Sequence, residues 1–131
     1  MINFRPVIRV IGVLLMIIGA LMLTGLPFSF YYDSGDAQAL LYAGLLNIGV
    51  GLPLWRFVPR KREGYLIVAM GWLAMVSSGT LPYLLSGVIP EFHNAFFETV
   101  SGMTTTGATV LTDIEATPRG ILYWRSLTQW I

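Results

Sequence analysis

The sequence predicts an all-α, multi-pass membrane protein. Of its 131 residues, 55% are apolar and 11% are charged, more apolar surface than a soluble domain of this size can bury. Uncharged runs cover residues 10–32, 37–55 and 64–90, against the roughly 20 residues that a helix needs to cross about 30 Å of hydrocarbon. A fourth apolar segment, too short to span, runs into Ser101-Gly102-Met103-Thr104-Thr105-Thr106-Gly107-Ala108-Thr109, a cluster of hydroxyls and glycines. The chain has no cysteine, which removes disulfides and thiolate metal sites and says nothing of compartment.

The first run follows Arg5 and Arg9, the order of a signal peptide. It is longer than the roughly 7–15 residues of a signal core, however, and Gly25-Leu26-Pro27-Phe28-Ser29-Phe30 is not a small-residue cleavage pattern, so it reads as a retained helix. Asp33 and Asp36 separate it from the second run, and Arg56, Arg60, Lys61 and Arg62 follow that run. By the positive-inside rule the amino terminus and the basic loop are cytoplasmic and the Asp33–Asp36 turn is outside. Everything after the third run then lies on the outer side. That region holds Glu91, Glu98, Asp113 and Glu115 with no Lys or Arg before Arg119, a field that concentrates cations. Avoidance of basic residues by outer loops gives the same pattern. Gly12, Gly19, Gly44, Gly49 and Gly51 read as helix-packing positions. So do Asn47, Ser77, Ser78 and Gly79, with Pro82 as a kink, rather than as a lined pathway.

Residues 91–103 extend only about 18 Å as a helix, which makes them a half-helix that re-enters from outside. Pro90 and Glu91 suit its start, Phe92, Phe96, Val100 and Met103 share one face at spacings of four, four and three, and Gly102 is expected to end it. Its carbonyl terminus then points toward the bilayer midplane, where partial negative charge favours a cation. The following loop, 104–109, suits a dehydrated monovalent cation. Irregular backbone at this depth is tolerated where it lines a cavity, its carbonyls replace water around an ion, and Gly107 permits the dihedrals required. No carboxylate lies in the loop, against a divalent-ion site. A plain Thr-rich turn between helices accounts for the same string.

The next helix starts with Thr117 as N-cap and Pro118 in the first turn. Tyr123, Trp124 and Trp130 suit an interfacial belt, and Arg125 either snorkels outward or pairs with an acidic group near the mouth. Residues 118–131 reach only about 21 Å, and the expectation is a truncated chain.

The run from Phe92 through Thr109, with Trp124-Arg125-Ser126-Leu127-Thr128-Gln129-Trp130-Ile131, resembles the first pore helix, filter and following helix of the TrkH group in the Trk/Ktr/HKT potassium transporter superfamily. The resemblance covers nearly the whole chain, its specific part being the last third. It implies that 1–63 are two leading helices with a cytoplasmic basic loop, and that 64–131 are the first of four pore units. Within that unit it implies a membrane helix over 64–89, a half-helix over 91–103, a filter over 104–109, an outer loop over 110–117 and a helix from 118 to 131. It implies potassium uptake across the bacterial inner membrane, with potassium held by backbone carbonyls of Thr105, Thr106 and Gly107, flanked by Thr104 and Ala108. Gly107 rather than serine points to potassium over sodium. No resident cofactor and no nucleic acid is implied. The implied partners are the bilayer, a second copy of the full-length protein and a cytosolic nucleotide-binding Trk regulatory subunit.

Other classes of protein fit the sequence less well. A homotetrameric channel built from a complete short chain requires a second pore helix that stops about two turns short of the inner surface. A membrane hydrolase with His93 as base and Ser101 as nucleophile places them about 12 Å apart along one helix, beyond hydrogen-bond reach, so no catalytic residue and no enzyme activity is expected. A membrane scaffold without transport activity leaves the 104–109 cluster unused.

Overall fold

In the computed structural model, which describes residues 5–56 and 64–131, every regular element among the described residues is a helix. The basic cluster Arg60, Lys61 and Arg62 lies outside them. The first apolar run makes two helices, α1 (Arg5–Leu23) and α2 (Leu26–Tyr32). Pro27 in the first turn of α2 has no amide to continue the ladder, and the Gly25 amide instead turns back to the Met22 carbonyl at 3.0 Å. Asp33, in left-handed conformation at φ 48°, ends α2 and returns the chain into α3 (Ala37–Arg56).

α1 and α3 pack antiparallel through glycine. A Cβ on Gly51 would lie 2.6 Å from the Gly12 carbonyl oxygen, and one on Gly19 would lie 2.7 Å from that of Gly44. The reversed order of these pairs along the two helices sets their direction. Missing side chains let the backbones approach, as small residues do between membrane helices. Gly49 departs from this expectation: no atom lies within 4 Å of its would-be Cβ. Asn47 is buried in the same interface, donating to the Ala43 carbonyl at 2.9 Å, so it is satisfied within its own helix.

The third run is also divided, into α4 (Gly64–Gly79) and α5 (Leu81–Ser86). Thr80 keeps near-helical angles, φ −73° and ψ −25°, so the direction persists while the hydrogen-bond ladder skips at Pro82. Gly87, at φ 72°, terminates it in the left-handed region where glycine carries no Cβ penalty. Three segments, Val7–Tyr32, Ala37–Arg56 and Tyr65–Ser86, are thus long and apolar enough to cross a membrane.

Two shorter helices follow, α6 (Phe92–Met103) and α7 (Arg119–Thr128). One core joins every layer: Ile18 and Met22 from α1, Leu40 and Ala43 from α3, Val76, Tyr83, Met103, Ile121 and Trp124. Trp124 is therefore not an interfacial residue. It is fully buried and donates its indole N–H to the Gly79 carbonyl at 3.0 Å, at the break where α4 gives way to α5.

In the full-length protein, Gly51→Val forces α1 and α3 apart and is expected to cost about 1–3 kcal/mol, whereas Gly49→Ala is near neutral. Thermal unfolding of the detergent-solubilised proteins compares them directly; equal losses would remove the close approach as the reason for glycine.

Candidate cation site

α6 begins at Glu91, whose extended backbone (φ −88°, ψ 122°) makes it the residue before the first turn; Pro90 stands one position further out, not within the helix. Of the apolar stripe, Met103 alone is buried, while Phe96 and Val100 pack at the edge of the core. Phe92 is exposed and Phe96 and Val100 are half-buried, while Ala95, Glu98, Thr99, Ser101, Gly102 and Met103 are buried. The buried face is small and polar because α6 sits close to two helices at once. A Cβ on Gly79 would touch the Thr99 methyl and the Met103 terminus, and Gly102 faces Thr128 of α7. Gly102 is thus a contact inside the helix rather than its terminator. The contact with Gly79, seven residues before Ser86 ends the third span, places the carboxyl end of α6 part way along that span.

After Met103 the backbone turns sharply. Thr104 caps the helix at φ −89° and ψ 3°, Thr105 is left-handed at φ 57°, and Gly107 is left-handed at φ 76°. For a β-branched residue such as Thr105 that conformation costs on the order of 1–3 kcal/mol and persists only where neighbours over-determine it. Here they do. The amides of Thr104, Thr105 and Thr106 donate to the carbonyls of Val100, Gly102 and Ser101, each at 2.9 Å, and Gly107 N–H reaches Ser101 at 3.4 Å. Each of these bonds also satisfies a carbonyl that the helix end would leave orphaned. With their amides turned inward, Thr104, Thr105, Thr106 and Gly107 present exposed backbone, and among the described residues their carbonyls accept no hydrogen bond. The Thr104 hydroxyl donates to Val100 at 2.8 Å and shares a 2.8 Å bond with the Thr106 hydroxyl, which ties the side chains to the scaffold. Ala108 differs: its carbonyl accepts from the Ser101 hydroxyl at 2.6 Å.

The far end of the loop is fastened by Glu98. Its carboxylate is 1% exposed and accepts from the Thr109 hydroxyl at 2.9 and 3.0 Å, from the Val110 amide at 2.9 Å and from Arg125 Nε at 2.6 Å. Arg125 is one-fifth exposed, so the pair is largely removed from water. A carboxylate so placed is stable only when paired and hydrogen-bonded, and both conditions hold. Glu98 is consequently neutralised by its partner, unlike the exposed Glu91, Asp113 and Glu115. His93, exposed, stands 3.5 Å from Glu91, and Ser101 is committed to Ala108, an arrangement without a nucleophile–base pair.

All five loop residues singled out from sequence, Thr104, Thr105, Thr106, Gly107 and Ala108, lie in one turn, with free carbonyls on the first four. Glu98, Ser101 and Arg125 were not assigned there as parts of the site. The available signal was charge: an acid within a short apolar helix and a base within the next helix each need a partner in a membrane.

A helical membrane protein with an irregular loop at the end of a half-length helix has the kind of backbone arrangement that cation pathways use. The comparisons name the particular family. The family model of TrkH, cation transport proteins, matches residues 42–131, and the chain belongs to that family. It is 35% identical to the Trk system potassium uptake protein TrkH of Halomonas elongata and 34% identical to that of Escherichia coli, in each case over 98% of this chain and 28% of the relative. An uncharacterised cation transporter of Methanocaldococcus jannaschii is 31% identical over the same share. The crystal structure of the potassium transporter TrkH from Vibrio parahaemolyticus superimposes with a TM-score of 0.89 at 32% identity, covering 98% of this chain and 29% of that one. The chain thus spans a little over a quarter of the length of the curated relatives it matches.

Arg125→Met in the full-length protein strands a buried carboxylate and is expected to cost about 3–5 kcal/mol, while Glu98→Gln together with Arg125→Met costs less than that single change because no charge is left unpaired. Chemical unfolding of the four proteins of this double-mutant cycle measures the coupling; additive losses would show that the pair is not coupled.

Proposed function

We propose that the full-length protein takes up potassium ions across the bacterial cytoplasmic membrane and that this chain supplies one strand of its selectivity filter. The observation that carries the reading is the one-sided hydrogen bonding of the loop: the amides of Thr104 to Gly107 donate to carbonyls of α6, and among the described residues their own carbonyls accept no hydrogen bond. A ring of such carbonyls exchanges for the hydration shell of a monovalent cation. Thr105, Thr106 and Gly107 are the ion contacts, with Thr104 flanking. Ala108, its carbonyl drawn to Ser101, belongs to the strand as a support.

In this reading α6 is the re-entrant half-helix, entering from outside. Arg5 and Arg9, in the first turns of α1, support an amino terminus in the cytoplasm. The Asp36 carboxylate bonds the Ile121 amide, which supports a common, outer side for the turn before α3 and the start of α7. The names of the relatives, potassium uptake proteins, support the choice of ion. A second copy and a cytosolic nucleotide-binding subunit complete the proposed assembly.

Gly107→Ala tests the strand. No atom lies within 4 Å of the added methyl, so its cost comes from the left-handed backbone, about 1–2 kcal/mol, and from a carbonyl rotated off its direction. Cells lacking their own potassium uptake and expressing the full-length gene should grow at low potassium, and the variant should lose that growth at equal membrane abundance. Growth indistinguishable from the parent would place the ion contacts elsewhere.

A further inference from the structure

Asp36 lies outside the pore unit, in the turn between the two leading helices, and is 2% exposed. Its carboxylate accepts from the hydroxyl of Ser29, from that of Ser34 at 2.6 Å, and from the backbone amide of Ile121 at 2.7 Å. Ile121 is the third residue of α7, whose first amides have no partner inside their own helix. Asp36 therefore stands immediately before α3 and caps α7, where a carboxylate also meets the positive end of the helix dipole. The site is shaped for it: a Cβ on Gly120 would lie 2.5 Å from the carboxylate oxygen. Two aromatic contacts reinforce the join. Phe28 stacks on Tyr123 with ring centroids 4.4 Å apart, and the Arg119 guanidinium lies 5.8 Å over the Tyr32 ring.

What α7 carries makes this join consequential. One turn beyond Ile121, Arg125 holds Glu98, and Glu98 holds Thr109 and Val110 at the end of the loop. Trp124 is fixed to Gly79 by its indole N–H and Thr128 packs closely against Gly102 of α6, so α7 is a rod whose axial and rotational setting is read out at Arg125. Displacement of the amino end of a rod one turn long at that point moves the guanidinium by a comparable amount.

We propose that Asp36 is a positioning residue for the filter strand: by fixing the start of α7 it sets Arg125, and through Glu98 the loop carbonyls. The leading helices thus take part in ion selection rather than only anchoring the pore unit. This rests on the filter role proposed above for residues 104–107.

The test uses the full-length protein reconstituted into liposomes, with potassium and sodium fluxes measured per folded protein. Three variants, Asp36→Asn, Gly120→Ala and Ser34→Ala, disturb the join to different degrees, and Ser34→Ala, removing one half-buried hydroxyl, is the mildest. The expected result is a fall of about two- to tenfold in the potassium-to-sodium flux ratio, the scale of mutations along a coupled network. Amide hydrogen exchange should rise within 104–111 and stay unchanged across α1 and the body of α3. A purely structural anchor lowers folded yield and scales both fluxes alike. Folded variants with the parental ratio and unchanged exchange at 104–111 overturn the proposal, and if Asp36→Asn does not fold, the other two variants decide it. Failure of the parent protein itself to move potassium would instead overturn the filter reading.

Discussion

Burying a carboxylate in a membrane protein imposes a demand that the surrounding chain must meet, and Glu98 is the residue on which the candidate site depends. Its charge is matched by Arg125, and its remaining lone pairs take the Thr109 hydroxyl and the Val110 amide. The loop therefore has two fixed ends. Its start is folded back onto the carbonyls of α6, and its finish is pinned to a side chain one and a half turns earlier on the same helix. Between these ends the left-handed angles of Thr105 and Gly107 are held, and among the described residues the carbonyls of Thr104 to Gly107 accept no hydrogen bond. A carbonyl site selects by where its dipoles are, so rigidity here is part of the chemistry.

The helices around the loop are arranged to keep that geometry. α6 is too short to span, and its buried face is made of small residues so that the α4–α5 break and α7 can both approach it. Glycines do at the backbone what alanines cannot: Gly79 accommodates Thr99 and Met103, and Gly102 accommodates Thr128. The indole of Trp124 donates to the Gly79 carbonyl at the α4–α5 break, which satisfies that acceptor. The antiparallel pair α1 and α3, sealed by Gly12, Gly19, Gly44 and Gly51, forms the wall behind this assembly.

The fold class was legible from hydrophobic run lengths, because lipid leaves a helix as the only way to satisfy a spanning backbone of this composition. The irregular backbone at Thr104 to Gly107 was legible from residue type, since hydroxyls and glycine interrupt an otherwise apolar pattern. Helix faces were less so. Apolar periodicity in α6 selected Phe92, Phe96 and Val100, but in a membrane a large apolar side chain is content facing outward, and close helix contacts go to Ala95, Thr99 and Gly102. The same reasoning misplaced Trp124 at the interface, because an indole N–H is equally well satisfied by a buried carbonyl. Breaks at Gly25 and Thr80 follow from Pro27 and Pro82, although run length alone joins the pieces. The pairing of Glu98 with Arg125 spans 27 residues: charge offered pairing with an acid near the mouth as one of two roles for Arg125, but local spacing does not say which acid.

The most direct test is an experimental structure of the full-length protein with thallium(I), a potassium substitute that scatters anomalously, in place of potassium. The account predicts anomalous density on the open side of the loop beside the backbone oxygens of Thr105, Thr106 and Gly107, with Glu98 and Arg125 still joined behind it. Density confined to the acidic outer residues, with none against these carbonyls, would contradict it.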